Sequence, residues 1–112
     1  MPPDGARLAT SVVVSGLIRK AEGEGGFAAI LAKGDETAGS VLVILLERGG
    51  PPQALERILQ ADGSYGWQAS AEGESGVAEL IDRRRRFDPD LWVVELDIPS
   101  AERFAAEMNA IG

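Results

Sequence analysis

The chain has 112 residues, 45% of them hydrophobic and 26% charged, which suits one ordinary globular domain spanning 1–112 and argues against wholesale disorder. Eighteen acidic against eleven basic residues leave a net charge of −7, a field that repels nucleic acid and anionic lipid except at a local basic patch. No cysteine and no histidine is present, which excludes disulfides, thiol nucleophiles, histidine-based triads and imidazole acid–base work.

Residues 1–5 read as a frayed lead-in, with Asp4 placed to cap a following helix. From Arg7 to about Glu22, Val14, Leu17, Ile18 and Ala21 fall at helical spacing, with Thr10 as their polar extension. The β-branched run Val12-Val13-Val14 argues for strand, but the periodicity and the basic residues near the C-terminal end favour helix. Gly23, Gly25 and Gly26 end it.

Phe27–Lys33 and Val41–Glu47 are two apolar runs joined by a Gly- and Asp-bearing loop, which predicts a β-hairpin. The second run lacks polar alternation and reads as a central strand buried on both faces. After the turn Arg48-Gly49-Gly50-Pro51-Pro52, Ala54–Gln60 is compatible with helix, but Asp62-Gly63 and Trp67 that follow favour a strand paired with Tyr65–Ala69 in a second hairpin, with Gly66 marking a bulge or a close backbone approach. Ala71–Gly76 reads as a polar loop, and Ser75 with Glu79 as a capping box opening a helix over 76–85. Val77, Leu80, Ile81 and Arg84 share one face of that helix, and Asp88-Pro89 stops it. Leu91–Leu96 is a strand, with Trp92, Val94 and Leu96 on one face and Leu91, Val93 and Glu95 on the other. Pro99-Ser100 opens a last helix over 101–110. The expected fold is α+β: a mostly antiparallel five-stranded sheet with three helices, in the order α-β-β-β-β-α-β-α.

The segments Ala6–Ser15, Gly25-Gly26-Phe27-Ala28, Lys33-Gly34-Asp35 with Ala38-Gly39, and Asp88-Pro89-Asp90-Leu91-Trp92-Val93-Val94-Glu95 resemble a small alphaproteobacterial family known as domain of unknown function 1491. The likeness covers nearly the whole chain, and the Asp-Pro-Asp-Leu-Trp block is its most specific part. It implies a bacterial cytoplasmic protein with a shared fold. It carries no assigned activity, so no functional residue transfers.

Four arginines, Arg83, Arg84, Arg85 and Arg86, form the densest basic run, and Tyr65 or Trp92 could stack on a base beside them. Four consecutive helical residues point around the whole circumference, about 100° apart, so no more than two face one ligand. The other reading is a solvated helix end with ion pairs to Asp82, Asp88 and Asp90. Trp67 and Trp92 are the large anchors, either of an interface or of the core. Asp88, Asp90, Glu95 and Asp97 could hold a hard cation, yet Pro89-Asp90 with Glu95-Leu96-Asp97 departs from the nuclease pattern it resembles because Asp97 stands where a lysine is needed. Gly23-Glu24-Gly25-Gly26 follows a helix instead of opening one, unlike a phosphate loop, and the serines lack a histidine base. No catalytic residue, metal site or cofactor is expected. The longest strongly apolar run, Val41–Leu46, is far short of the about 20 residues of a membrane span. Arg19 and Lys20 directly follow the first apolar stretch with no small-residue cleavage site, which favours a cytoplasmic protein over a secreted one. The expected function is a non-enzymatic protein-interaction domain that pairs with a second copy of the chain and contacts an unidentified protein. The alternative is phosphate or nucleic-acid binding through Arg83–Arg86 with Lys33 or Arg57.

Overall fold

The computed structural model describes residues 8–111; the lead-in of residues 1–5 and the cap expected at Asp4 lie outside them. The element order is α1 (Thr10–Gly23), β1 (Phe27–Ala32), β2 (Val41–Glu47), β3 (Gln53–Leu59), β4 (Tyr65–Glu72), α2 (Gly73–Phe87), β5 (Trp92–Ile98) and α3 (Ala101–Ile111), as the residue patterns predict. None of these helices is long and apolar enough to cross a membrane.

The sheet order is β1-β5-β2-β3-β4. The sheet is mixed and not the mostly antiparallel one expected, because β5 pairs parallel with β2 at its centre. The last strand reaches that place because α2 carries the chain back across the sheet after β4, the kind of helical crossover a parallel pair requires. Both strands of this pair are buried on their two faces along most of their length, and their apolar stretches Val41–Leu46 and Trp92–Val94 suit that place.

The hairpin expected between β1 and β2 does not form. β5 inserts between them, antiparallel to β1 with Phe27 opposite Asp97 and Ile30 opposite Val94. The 33–40 loop therefore bridges two strand spacings, roughly 10 Å. It is tied to the entry of β5: the Asp35 N–H donates to the Asp90 carbonyl (3.1 Å), the Trp92 indole N–H to the Asp35 carbonyl (2.8 Å), and the Trp92 N–H to the Ser40 carbonyl (2.8 Å). Gly34 and Gly39 make this approach possible. A Cβ on either would lie 2.1 or 2.3 Å from the Asp90 oxygen. The start of α1 joins the same knot, with the buried Thr10 hydroxyl donating to the Gly39 carbonyl (2.8 Å) and the Ser11 N–H to that of Glu36 (2.9 Å). Three segments far apart in sequence thus lock one another.

The β3–β4 hairpin forms as expected, with Leu59 opposite Tyr65. Its bulge lies at Ser70 instead of Gly66, which the Gln60 side chain approaches closely. The segment expected as a loop before α2 is not one: β4 runs to Glu72 and the helix starts at once. Gly73, at φ +81°, makes the corner with its N–H bonded to the Pro52 carbonyl (2.9 Å), so the capping box of Ser75 and Glu79 is not used.

Two cores result. α1 and α3 cover one face, where Val14, Leu17, Ala21, Phe104 and Met108 pack on Val43, Leu45, Leu55, Val94 and Leu96. α2 covers the other, where Val77 and Leu80 pack on Leu42, Ile44, Ala54, Leu91 and Val93. α1 ends in a Schellman arrangement, Gly26 N–H to the Ala21 carbonyl and Gly25 N–H to that of Glu22. Near that end Lys20 pairs with Glu24 (2.8 Å) and with Glu107 of α3 over the Phe104 ring, which fastens the two helices together.

Candidate functional site

The four arginines do not converge. Arg84 grips Glu56 of β3 in a fork, Nε to Oε2 and Nη2 to Oε1 (2.9 Å), and this bond chiefly pulls the Glu56 carboxyl below its ordinary range and raises Arg84. Arg86 pairs with Asp82 one turn earlier. Arg85 and Arg86 flank a shallow hollow beside Ile81 and Asp82, open to solvent. Arg83 is exposed. Half of the run is already neutralised, and the rest points apart.

Tyr65 is not near them. Glu56, bound to Arg84, faces α2, while the next residue, Arg57, points to the opposite face with Trp67 as its cross-strand partner. Tyr65 lies on that second face too, and the Arg57 guanidinium sits 4.1 Å from its ring centroid. Lys33 pairs loosely with Glu36 (3.6 Å) in the 33–40 loop. The composite of Arg83–Arg86 with Arg57 is thus split by the thickness of the sheet.

Trp67 and Trp92 are both in the α1/α3 core, 8% and 3% exposed. Trp92 holds the 33–40 loop through its indole N–H, and the Trp67 backbone N–H donates to Asn109 Oδ1 of α3 (2.8 Å). Asp88 Oδ1 accepts the Asp90 N–H (3.0 Å) in an Asx turn before β5, and Asp97 Oδ1 accepts the Gly49 N–H (2.9 Å). Among the described residues, no three acidic side chains are grouped to hold a metal ion.

Two features escaped the sequence reading. One is the β1 edge of the sheet. β1 has the run Phe-Ala-Ala-Ile-Leu-Ala with no charge and no proline, and among the described residues no strand pairs with its outer side. Phe27 is 75% exposed, and Ile30 and Leu31 are also exposed. Phe27 and Ala29 share the α2 side of the sheet, where α2 packs over β3 and β4 and leaves β1 bare. The absence of charge was the readable signal; its position at an edge depended on β5.

The other is a cavity of about 320 Å³ between the start of α1, the 33–40 loop and the β3–β4 hairpin, lined by Thr10, Thr37, Gly39, Ser40, Arg57 and Tyr65 among others. Arg57 is half-buried, which lowers its pKa from the ordinary value, and its Nε–H finds no acceptor. The readable signal was diagonal pairing: a hairpin with Leu59 opposite Tyr65 sets Arg57 beside the tyrosine on the same face.

Comparison with known proteins agrees with this architecture. A family described as "Protein of unknown function (DUF1491)" matches residues 8–106. A DUF1491 family protein from Caulobacter crescentus CB15 is similar in its crystal structure, with 35% identity over 87% of this chain and 94% of that one and a TM-score of 0.78. An NMR structure of a DUF1491 family protein from the same organism gives 34% identity over 88% and 93%, with a TM-score of 0.77. A solution structure of an A. tumefaciens protein gives 31% identity over 88% and 92%, with a TM-score of 0.74. No curated protein matches the chain. Parts of three of the segments that carry the resemblance in sequence, at residues 10–11, 34–39 and 90–92, meet around Asp90 and Trp92, and the chain belongs to the DUF1491 family, whose function is unknown.

Proposed function

We propose that the protein acts through contact surfaces instead of bond-making, in the bacterial cytoplasm, and that it pairs with a second copy of itself along β1. The carrying observation is the bare, uncharged edge of β1 with Phe27 projecting from it. Sheet edges are usually guarded by lysine, proline or a bulge. Here only the bulge at Leu31 interrupts the strand, and Phe27–Ile30 stays regular. A two-fold axis through the sheet would join two β1 strands antiparallel and continue five strands into ten, each copy presenting the same patch. The lack of histidine and cysteine supports a role without chemistry.

Sedimentation equilibrium tests this. The expected mass is twice the 11.8 kDa of one chain at micromolar concentration. Phe27→Lys with Ala29→Lys should return it to one chain with an unchanged circular dichroism spectrum. Each copy carries −7, so raising salt from about 0.01 to 0.15 M, which shortens the screening length from about 30 to about 8 Å, should tighten the pair. A wild-type chain that stays single at all these conditions refutes the proposal. The reading of Arg83–Arg86 as a phosphate or nucleic-acid site has less support, because Arg84 and Arg86 already hold carboxylates.

A further inference from the structure

We infer that the cavity between the start of α1, the 33–40 loop and the β3–β4 hairpin binds the oxyanion group of a small molecule, anchored by Arg57. The inference is independent of the β1 pairing.

Among the described residues, two basic residues are partly buried, Lys20 and Arg57. Lys20 has two carboxylates. Arg57 makes no ion pair among the described residues, and its Nε–H lacks any acceptor there. A half-buried guanidinium forfeits hydration and normally recovers it from a carboxylate. In a chain with eighteen acidic residues such a partner is easy to supply, yet no acidic side chain among the described residues lines this cavity. The cavity is therefore a positive spot in a negative molecule. Arginine keeps its charge at neutral pH despite partial burial.

The surroundings fit a small ligand. A volume of about 320 Å³ lies at the low end of small-molecule sites. The Thr37 and Ser40 hydroxyls and the Arg57 fork are polar groups for an oxyanion, and the Tyr65 ring and Val41 offer apolar wall to an organic body. The N-terminus of α1 does not supply the site, since the Thr10 and Ser11 N–H groups are bonded to the Thr37 and Glu36 carbonyls. The stacking of Arg57 on Tyr65 fixes the guanidinium in place before a ligand arrives, which reduces the ordering cost of binding.

Phosphate and carboxylate groups share this chemistry, and three probes separate them: inorganic phosphate, phenyl phosphate and benzoate. Titration of the full chain, followed by ¹⁵N–¹H spectra, should show saturable shifts clustered at Thr10, Gly39, Ser40 and Tyr65 with at least one probe, at a dissociation constant on the order of 1 mM. A response to the phosphates alone assigns a phosphorylated ligand, and to benzoate alone a carboxylic acid. Arg57→Gln should weaken binding at least about tenfold. Arg57→Lys, which retains charge and stem but not the fork, should fall between and guards against a folding artefact. Arg83→Gln with Arg85→Gln should change nothing. The inference is overturned if no probe gives a saturable shift at tens of millimolar, if a folded Arg57→Gln variant binds as tightly as wild type, or if the shifts map to the α2 arginines.

Discussion

Replacing Gly34 with alanine tests the interlock at Asp90 directly. Glycine-to-alanine changes at positions an alanine can adopt usually stabilise by about 0.4–1 kcal/mol through the unfolded chain. Here the added Cβ would stand 2.1 Å from the Asp90 oxygen and 2.7 Å from two backbone carbons, so the loop must retreat from the entry of β5. Ordinary carbon–oxygen contacts lie near about 3.3–3.6 Å, which sets the retreat at more than about 1 Å. That movement breaks the Asp35 N–H bond to Asp90, worth about 1 kcal/mol, and leaves the buried Trp92 indole N–H without its Asp35 acceptor, at about 1–3 kcal/mol. Steric strain adds about 1–3 kcal/mol. Less the unfolded-state gain, the net loss is about 2–6 kcal/mol, a large part of the about 5–15 kcal/mol that holds a domain folded. Urea unfolding followed by tryptophan fluorescence reads it as a lower midpoint at unchanged slope. Gly16→Ala is the matched control. It lies inside α1 with nothing within 4 Å of the new methyl, and should stabilise by about 0.5–1 kcal/mol. If Gly34→Ala unfolds within about 0.5 kcal/mol of wild type, the close approach is not what glycine is there for.

Other perturbations report on the same framework. Trp92→Ala should cost about 3–5 kcal/mol and loosen the 33–40 loop; wild-type melting of that variant would deny Trp92 its place in the core. Thr10→Val keeps the shape but removes the hydroxyl that reaches Gly39, with an expected loss of about 1–2 kcal/mol in urea unfolding and none if that bond is dispensable. Glu56 has its folded pKa depressed by Arg84 first and Ser70 next, so its contribution is present above its unfolded value of about 4.3 and disappears as pH falls through the lower folded value. Glu56→Gln should therefore flatten the loss of stability below about pH 4. The effect at neutral pH stays under about 1 kcal/mol, because Arg84 is well exposed to solvent. An unaltered acid limb in that variant would show that the Arg84 fork does not form in solution.

Elements with clean periodicity were legible in the sequence. The order of helices and strands, the two-sided burial of Val41–Leu45 and the alternation of Trp92, Val94 and Leu96 all follow from residue spacing. Strand pairing was not, because a Gly-rich loop between two apolar runs is equally compatible with a tight hairpin and with a gap that a third strand fills. Side-chain alternation is silent on that choice. What decides it is the pair of carbonyl–glycine contacts at Gly34 and Gly39, invisible until Asp90 is brought near. The start of α2 was misplaced for a local reason, since a glycine with positive φ turns a strand into a helix without any capping side chain. The arginine run drew notice by density, whereas the lone Arg57 gains its significance from what it lacks, a carboxylate neighbour, and that depends on the sheet register.

The late position of β5 in the chain bears on biogenesis. The strand that fills the middle of the sheet is made after the other four, so β1 and β2 wait without a shared neighbour while everything between Glu47 and Trp92 is made. A nascent chain ending near residue 90 would hold β1 and β2 as two open borders. Release of residues 92–98 supplies the shared neighbour of both strands in one step, and limited proteolysis of arrested chains ending before and after these residues would show protection arriving all at once.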